Sequence, residues 1–165
     1  MRAALVLAAL LVTAAPALAA PSEADRSFLA QEAQGGVYEL DLSRLATQNA
    51  SRPDIKAYAQ RIVSDHETAN AALAQLAKSK GVSLPSSLTD DQKTRLAGMH
   101  NLKGAYFDDA YLKEIKRIND QDKQEYAKEA RETQDPEIRA YVQRFSAMDA
   151  EHEKLAQQLP PSNPS

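Results

Sequence analysis

The chain has no cysteine and no tryptophan, and only three phenylalanines and five glycines among 165 residues. Each shortage excludes something. Without cysteine there is no disulfide, no thiol nucleophile and no lipoprotein-type lipid attachment. The glycines form no phosphate-cradling loop at a strand–helix junction, and no serine sits in a G-x-S-x-G elbow, so hydrolase and transferase chemistry finds no support. An excess of one charge is missing too. The 20 basic and 23 acidic residues are interspersed along the chain, which describes solvated helix faces and gives no footprint for nucleic acid.

What is present begins with MRAALVLAALLVTAAPALAA, a single basic residue followed by an apolar run and small residues in an A-x-A arrangement at Ala17 and Ala19. The run is short for a bilayer span, and its pattern is that of a signal peptide over residues 1–19. Cleavage is expected after Ala19, with Ala20 as the alternative. Loss of Arg2 leaves 19 bases against 23 acids, a net charge of −4. The expectation is an exported, periplasmic, soluble protein with no membrane span in the mature chain. One domain over residues 22–159 and a frayed tail over 160–165 complete it.

Ala, Leu, Gln, Glu and Lys dominate, and the periodicity is helical throughout. Ser22 with Asp25 opens a helix running to about Ala50, with Phe28, Gly35, Leu42 and Ala46 on its inner face. The Gly35–Gly36 pair costs about 1 kcal/mol per glycine in a helix interior, which implies either a close helix neighbour or a break. SRPD at 51–54 starts a second helix, with Ser51 as cap and Asp54 completing the box. Along it Ile55, Ala59, Ile62, His66, Ala69, Leu73 and Leu76 form a 4–3 seam ending near Gly81. A loop and a short helix capped by Thr89 and Gln92 follow. A third long helix runs from Gly104 to about Thr133. A fourth opens at Asp135-Pro136, with its seam through Ile138, Tyr141, Phe145, Met148, His152, Leu155 and Leu159. The connection between the second and third long helices is long enough to make them parallel. The predicted fold is therefore all-α, a ferritin-like four-helix bundle with a long crossover containing a short helix. PDIKAYAQRI (53–62) and PEIRAYVQRF (136–145) share six of ten residues, which points to duplicated hairpins; convergent capping chemistry is the alternative.

His66, His152, Glu39 and Asn119 lie at similar depth in their four helices. Asp149 stands one turn from His152, and Glu32 shares the face of Glu39. A buried carboxylate requires a partner or a cation. The candidate metal ligands are thus Glu39, His66, Asp149 and His152, a set suited to one transition metal ion: zinc, iron or copper. Val63 replaces the carboxylate of a Glu-x-x-His motif on the second helix, so a complete di-iron centre is not expected. Asp65 is expected to project towards solvent or a helix neighbour. The alternative is a purely structural polar network in which His66 bonds Glu39 and His152 bonds Asp149 or a backbone carbonyl. His100 reads as a surface or capping residue. Tyr58, Tyr106, Tyr111, Tyr126 and Tyr141 read as core and interface residues with a wet hydroxyl. No catalytic residue is assigned.

The stretches GGVYELDLSRLA (35–46), DHETANAALAQLAKSKGVSLP (65–85), FDDAYL (107–112) and DPEIRAY (135–141), together with His152, carry a resemblance. From about Ser27 to Leu159 the chain resembles a family of exported bacterial proteins with a ferritin-like domain of unknown function, often labelled outer-membrane proteins. The resemblance implies a helical bundle in the bacterial envelope and a role for Glu39, His66 and His152, with no established activity. It also implies an Asp-His pair on the third long helix, where this chain has Ile118 and Asn119. A non-catalytic envelope stress or interaction protein is the competing reading. A homodimer through the glycine-containing face of the first helix fits either, and the envelope partner is not identified by sequence.

Overall fold

The computed structural model describes residues 20–160; the expected leader and, Pro160 apart, the expected tail lie outside them. Among the described residues there are five helices and no strand: α1 (Glu23–Asn49), α2 (Pro53–Ser79), α3 (Asp90–His100), α4 (Gly104–Glu132) and α5 (Pro136–Gln158). No helix among them is long and apolar enough to cross a membrane.

The local signals set most helix ends. Ser22 and Asp25 close a reciprocal capping box, as do Thr89 and Gln92. Asp135 accepts from the N–H groups of Glu137 and Ile138. After α2, the Val82 N–H reaches the Ala77 carbonyl at 2.8 Å and Gly81 reaches Lys78, with Gly81 at φ +65°. That is a Schellman stop, which needs the left-handed residue glycine supplies.

The start of α2 departs from expectation. Arg52, not Ser51, precedes the helix and offers no side-chain cap, while Asp54 pairs with the Arg52 guanidinium. Asp108 of α4 caps the corner instead. Its carboxylate accepts from the Ser51 N–H (2.9 Å), the Ser51 hydroxyl (2.5 Å) and the Arg52 N–H (3.2 Å). Asp108 is wholly buried, so the turn between α1 and α2 is locked by a residue more than fifty positions away. Local capping patterns cannot show that.

Contacts fix the helix directions. Glu39 lies beside His66 and Gly36 against Asn70, so α2 runs back along α1. Tyr38 donates to Glu114 and Tyr126 to Glu32, so α4 also opposes α1. Tyr58 meets the His152 carbonyl and Lys80 pairs with Asp135, so α5 opposes α2. The second and third long helices are therefore parallel, and the segment containing α3 returns the chain from one end to the other. Each long helix packs on two others, in the cyclic order α1, α2, α5, α4.

Two apolar clusters hold the four helices. One gathers Leu42, Ile55, Ile62, Phe107, Tyr111 and Ile115; the other gathers Phe28, Leu29, Leu73, Ile138, Tyr141 and Phe145. Each fully buried Leu, Ile or Phe contributes about 1.5–3 kcal/mol. Between the clusters lies a polar layer of Glu39, His66, Asn119, Asp149 and His152, all buried. Tyr106 is not a core residue, being 74% exposed. The buried tyrosine hydroxyls are bonded inside the protein: Tyr111 to Ser43, and both Tyr126 and Tyr141 to Glu32.

An offset of 83 residues carries Ile55 onto Ile138 and Tyr58 onto Tyr141, and equally Asp25 onto Asp108 and Phe28 onto Tyr111. Contacts obey it. Phe28 meets Tyr141 at 6.5 Å and 72°, while Tyr111 meets Tyr58 at 6.4 Å and 65°. One hairpin, α1–α2, is thus repeated as α4–α5 about a pseudo-twofold axis.

Helix α1 runs unbroken through Gly35–Gly36, and the two glycines differ. A Cβ on Gly36 would lie 2.2 Å from Asn70 Oδ1, whereas Gly35 meets nothing within 4 Å. The close approach is therefore at Gly36, and Gly35 is not the inner-face residue expected. Gly35→Ala should raise stability by about 1 kcal/mol through helix propensity. Gly36→Ala should fall short of that gain because Asn70 must move. Urea denaturation of the two variants measures the difference.

Candidate metal centre

Glu39 comes from α1, His66 from α2 and His152 from α5. The 4–3 spacing that puts them on the inner face also sets them at one level, between the two apolar clusters. Their exposures are 1%, 6% and 0%. One ligand atom from each lies within 4.8 Å of the others. His66 Nε2 is 3.2 Å from Glu39 Oε2, off the axis of a hydrogen bond, and the two imidazole rings are 5.8 Å apart at 33°.

Of the four expected ligands, three converge and one does not. Asp149 stands outside the group: its Oδ1 is 3.9 Å from His152 Nδ1, and its side chain also lines a groove between α4 and α5. Three residues before His152 on α5, it borders both that groove and a polar cleft shared with Glu32 and His66 of the α1–α2 hairpin. Asp65 departs from expectation in the other direction. Its Oδ2 lies 2.9 Å from His152 Nε2 and also accepts from Arg61 Nε. In so narrow a bundle a residue flanking the α2 seam reaches α5, which helical projection alone does not reveal. Asn119 is buried near Tyr58, and His100 is exposed at the end of α3.

The Asp65–His152 contact decides a protonation state. A carboxylate only accepts, so Nε2 of His152 carries the proton and Nδ1 keeps its lone pair. That lone pair is buried without a hydrogen bond, as are Glu39 Oε1 and both ring nitrogens of His66. Leaving such groups unpaired costs about 1–3 kcal/mol each.

The electrostatics describe a layer short of positive charge. Burial, then the Glu32 charge, pushes the Glu39 carboxyl up to about 8. Burial, with Glu39 and Glu32, holds Asp149 well above the usual carboxylate range, and Asp122 rises for the same reasons. Burial holds both His66 and His152 below an ordinary imidazole, the latter despite the pull of Asp65. Asp65 resists its own burial through hydrogen bonds from His152 and Arg61 and titrates low. The buried groups near Glu39 thus prefer their neutral forms, and a cation would reverse that preference.

The layer is reachable. A polar cleft of about 360 Å³ runs in over Gly35 and Gly36 and is lined by Glu32, His66, Asp122 and Asp149. α3 borders it through Thr89, Asp91 and Gln92.

Residues 10–159 match the family described as "Domain of unknown function (DUF4142)". No curated protein matches the chain. Among solved structures it is similar to CopM in the Cu(I)-bound form, at 19% identity and a TM-score of 0.67, covering 81% of this chain and 93% of that one. The Cu(II)-bound form of CopM gives 16% and 0.64 over the same shares. A DUF305 fragment from Deinococcus radiodurans gives 11% and 0.73, covering 84% of this chain and 99% of that one. At these identities the likeness is one of helical fold.

The raised carboxyls set a pH dependence. A group whose folded pKa exceeds its unfolded value loses stability as pH rises between the two. The lowered histidines have completed their opposite contribution by about pH 6.5. Metal-free protein should therefore become less stable between about pH 6.5 and about 8, where Glu39 ionises. Glu39→Gln should flatten that slope in thermal melts.

Proposed function

The chain belongs to the DUF4142 family, whose description assigns no activity, and we propose that this member is an exported, periplasmic protein that binds one transition metal ion through Glu39, His66 and His152. The observation that carries the reading is the set of buried, unpartnered lone pairs on those three side chains, converging from three helices. Asp65 supports it from outside, since a carboxylate on the far nitrogen of a ligating imidazole fixes the tautomer and raises the donor strength of the near one.

Two imidazole nitrogens and one carboxylate oxygen suit a borderline divalent ion, and copper(II) heads the affinity order for such donors. Met99 belongs to one apolar cluster and Met148 packs against the other, so among the described residues no thioether joins the group to favour copper(I). Similar folds that hold copper or silver make copper the first ion to test. Zinc and iron remain compatible with the same donors. The parallel second and third long helices, joined by a crossover with its own short helix, support reading the architecture as a ferritin-like four-helix bundle. Export rests on the leader pattern of residues 1–19.

The test is a copper(II) titration of the mature protein. The expected outcome is one ion per chain, lost in the His66→Ala, His152→Ala double variant. Asp65→Asn should weaken binding by about 10–100-fold. Free copper at about 100 times its dissociation constant should raise stability by about 2.7 kcal/mol. No binding, with the variants merely less stable, would make the set a structural network in a non-catalytic envelope stress or interaction protein. Intact mass of protein recovered from the periplasm should place its first residue at Ala20; an unprocessed chain would remove the export reading.

A further inference from the structure

Glu39, His66 and His152 differ in how they meet the outside. Glu39 and His152 are the more deeply buried, and neither lines the polar cleft. His66 does line it, with both ring nitrogens free of hydrogen bonds. Its ring lies 5.8 Å from that of His152, and its Nε2 lies 3.2 Å from Glu39 Oε2. The groove between α4 and α5 reaches none of the three. An ion coming down the cleft therefore meets His66 before the other two.

The glycine pair of α1 forms part of the cleft wall. A Cβ on Gly36 would strike Asn70, one turn after His66 on α2. Gly35 is different. It lies three residues after Glu32, which lines the cleft, and four before Glu39, which belongs to the site. A Cβ there would meet nothing within 4 Å, so no neighbour requires the side chain to be missing. Glycine in a helix interior nonetheless costs about 1 kcal/mol against alanine. One residue earlier, the Gln34 side chain donates to the Ser87 carbonyl at 3.1 Å, which ties the crossover to α1 beside the opening.

We infer that the cleft is the passage by which the metal ion enters and leaves, that His66 is the ligand it meets first, and that the missing side chain at Gly35 keeps the passage open. The passage rests on the metal reading of Glu39, His66 and His152, and the two are tested apart. A side chain that obstructs a passage slows entry and exit alike, so the dissociation constant, their ratio, stays the same. A side chain that disturbs the ligands changes the dissociation constant instead.

Copper(II) binding to the mature protein is followed in stopped flow by quenching of tyrosine fluorescence, which no tryptophan obscures. Release is followed by transfer of the ion to excess chelator. In Gly35→Phe both rates should fall more than about tenfold, with the dissociation constant unchanged. Gly35→Ala, which adds only a Cβ in open space, should bind at the unmodified rate. Gln121→Phe, at an exposed position lining the cleft from α4, should slow binding too, and it decides the question if circular dichroism finds Gly35→Phe unfolded. An unchanged rate in the folded phenylalanine variants, or weaker binding with an unchanged association rate, overturns the passage and leaves the copper site standing. No copper bound by the unmodified protein removes the site and the passage together.

Discussion

Burial of carboxylates and imidazoles at one level of a helical core, with no lysine or arginine among the layer's buried residues, is the constraint around which this protein is arranged. Such groups are tolerated only in neutral form, in mutual hydrogen bonds or around a cation. The Arg61 guanidinium pairs with Asp65, which in turn holds His152 Nε2. The buried Lys80 is spent elsewhere, on Asp135 and Glu137 at the end of the bundle.

The apolar clusters above and below make that arrangement affordable. They fix the four long helices on both sides of the layer, so its side chains are held by packing they do not themselves provide. The corners add rigidity from a distance. Asp108 bonds the turn into α2, and its repeat equivalent Asp25, also buried, accepts from the Ser22 N–H at the start of its own helix. The crossover lays α3 along the rim of the cleft with a single buried residue, Met99, so the approach to the layer is bordered by the least buried helix.

Much of the site was legible before the fold was known. Glu39, His66 and His152 were found because an inward position on a 4–3 seam is costly for a polar residue unless something compensates. Asp149 follows the same rule but lies outside the tight group of three, because spacing along α5 says which residues share its stripe and not how closely each approaches the other helices. Asp65 lies off the seam. Its only sequence signal is the Arg61 one turn earlier, and that pair alone describes an ordinary exposed ion pair.

The sequence alone determined the helices, their ends where capping is local, the echo between the second and fourth long helices and the level of the polar residues, because these depend on neighbours within a few positions or on a repeat visible in the text. Only tertiary structure decided that Asp108 holds the turn before α2 while Ser51 caps nothing. It likewise decided that Asp65 lies against His152 Nε2, that Gly36 and not Gly35 takes the close contact, and that one ligand atom from each of Glu39, His66 and His152 lies within 4.8 Å of the others. Those outcomes depend on the rotation of each helix about its own axis. That rotation is set by the packing of all four long helices at once, and no single stretch of chain contains it.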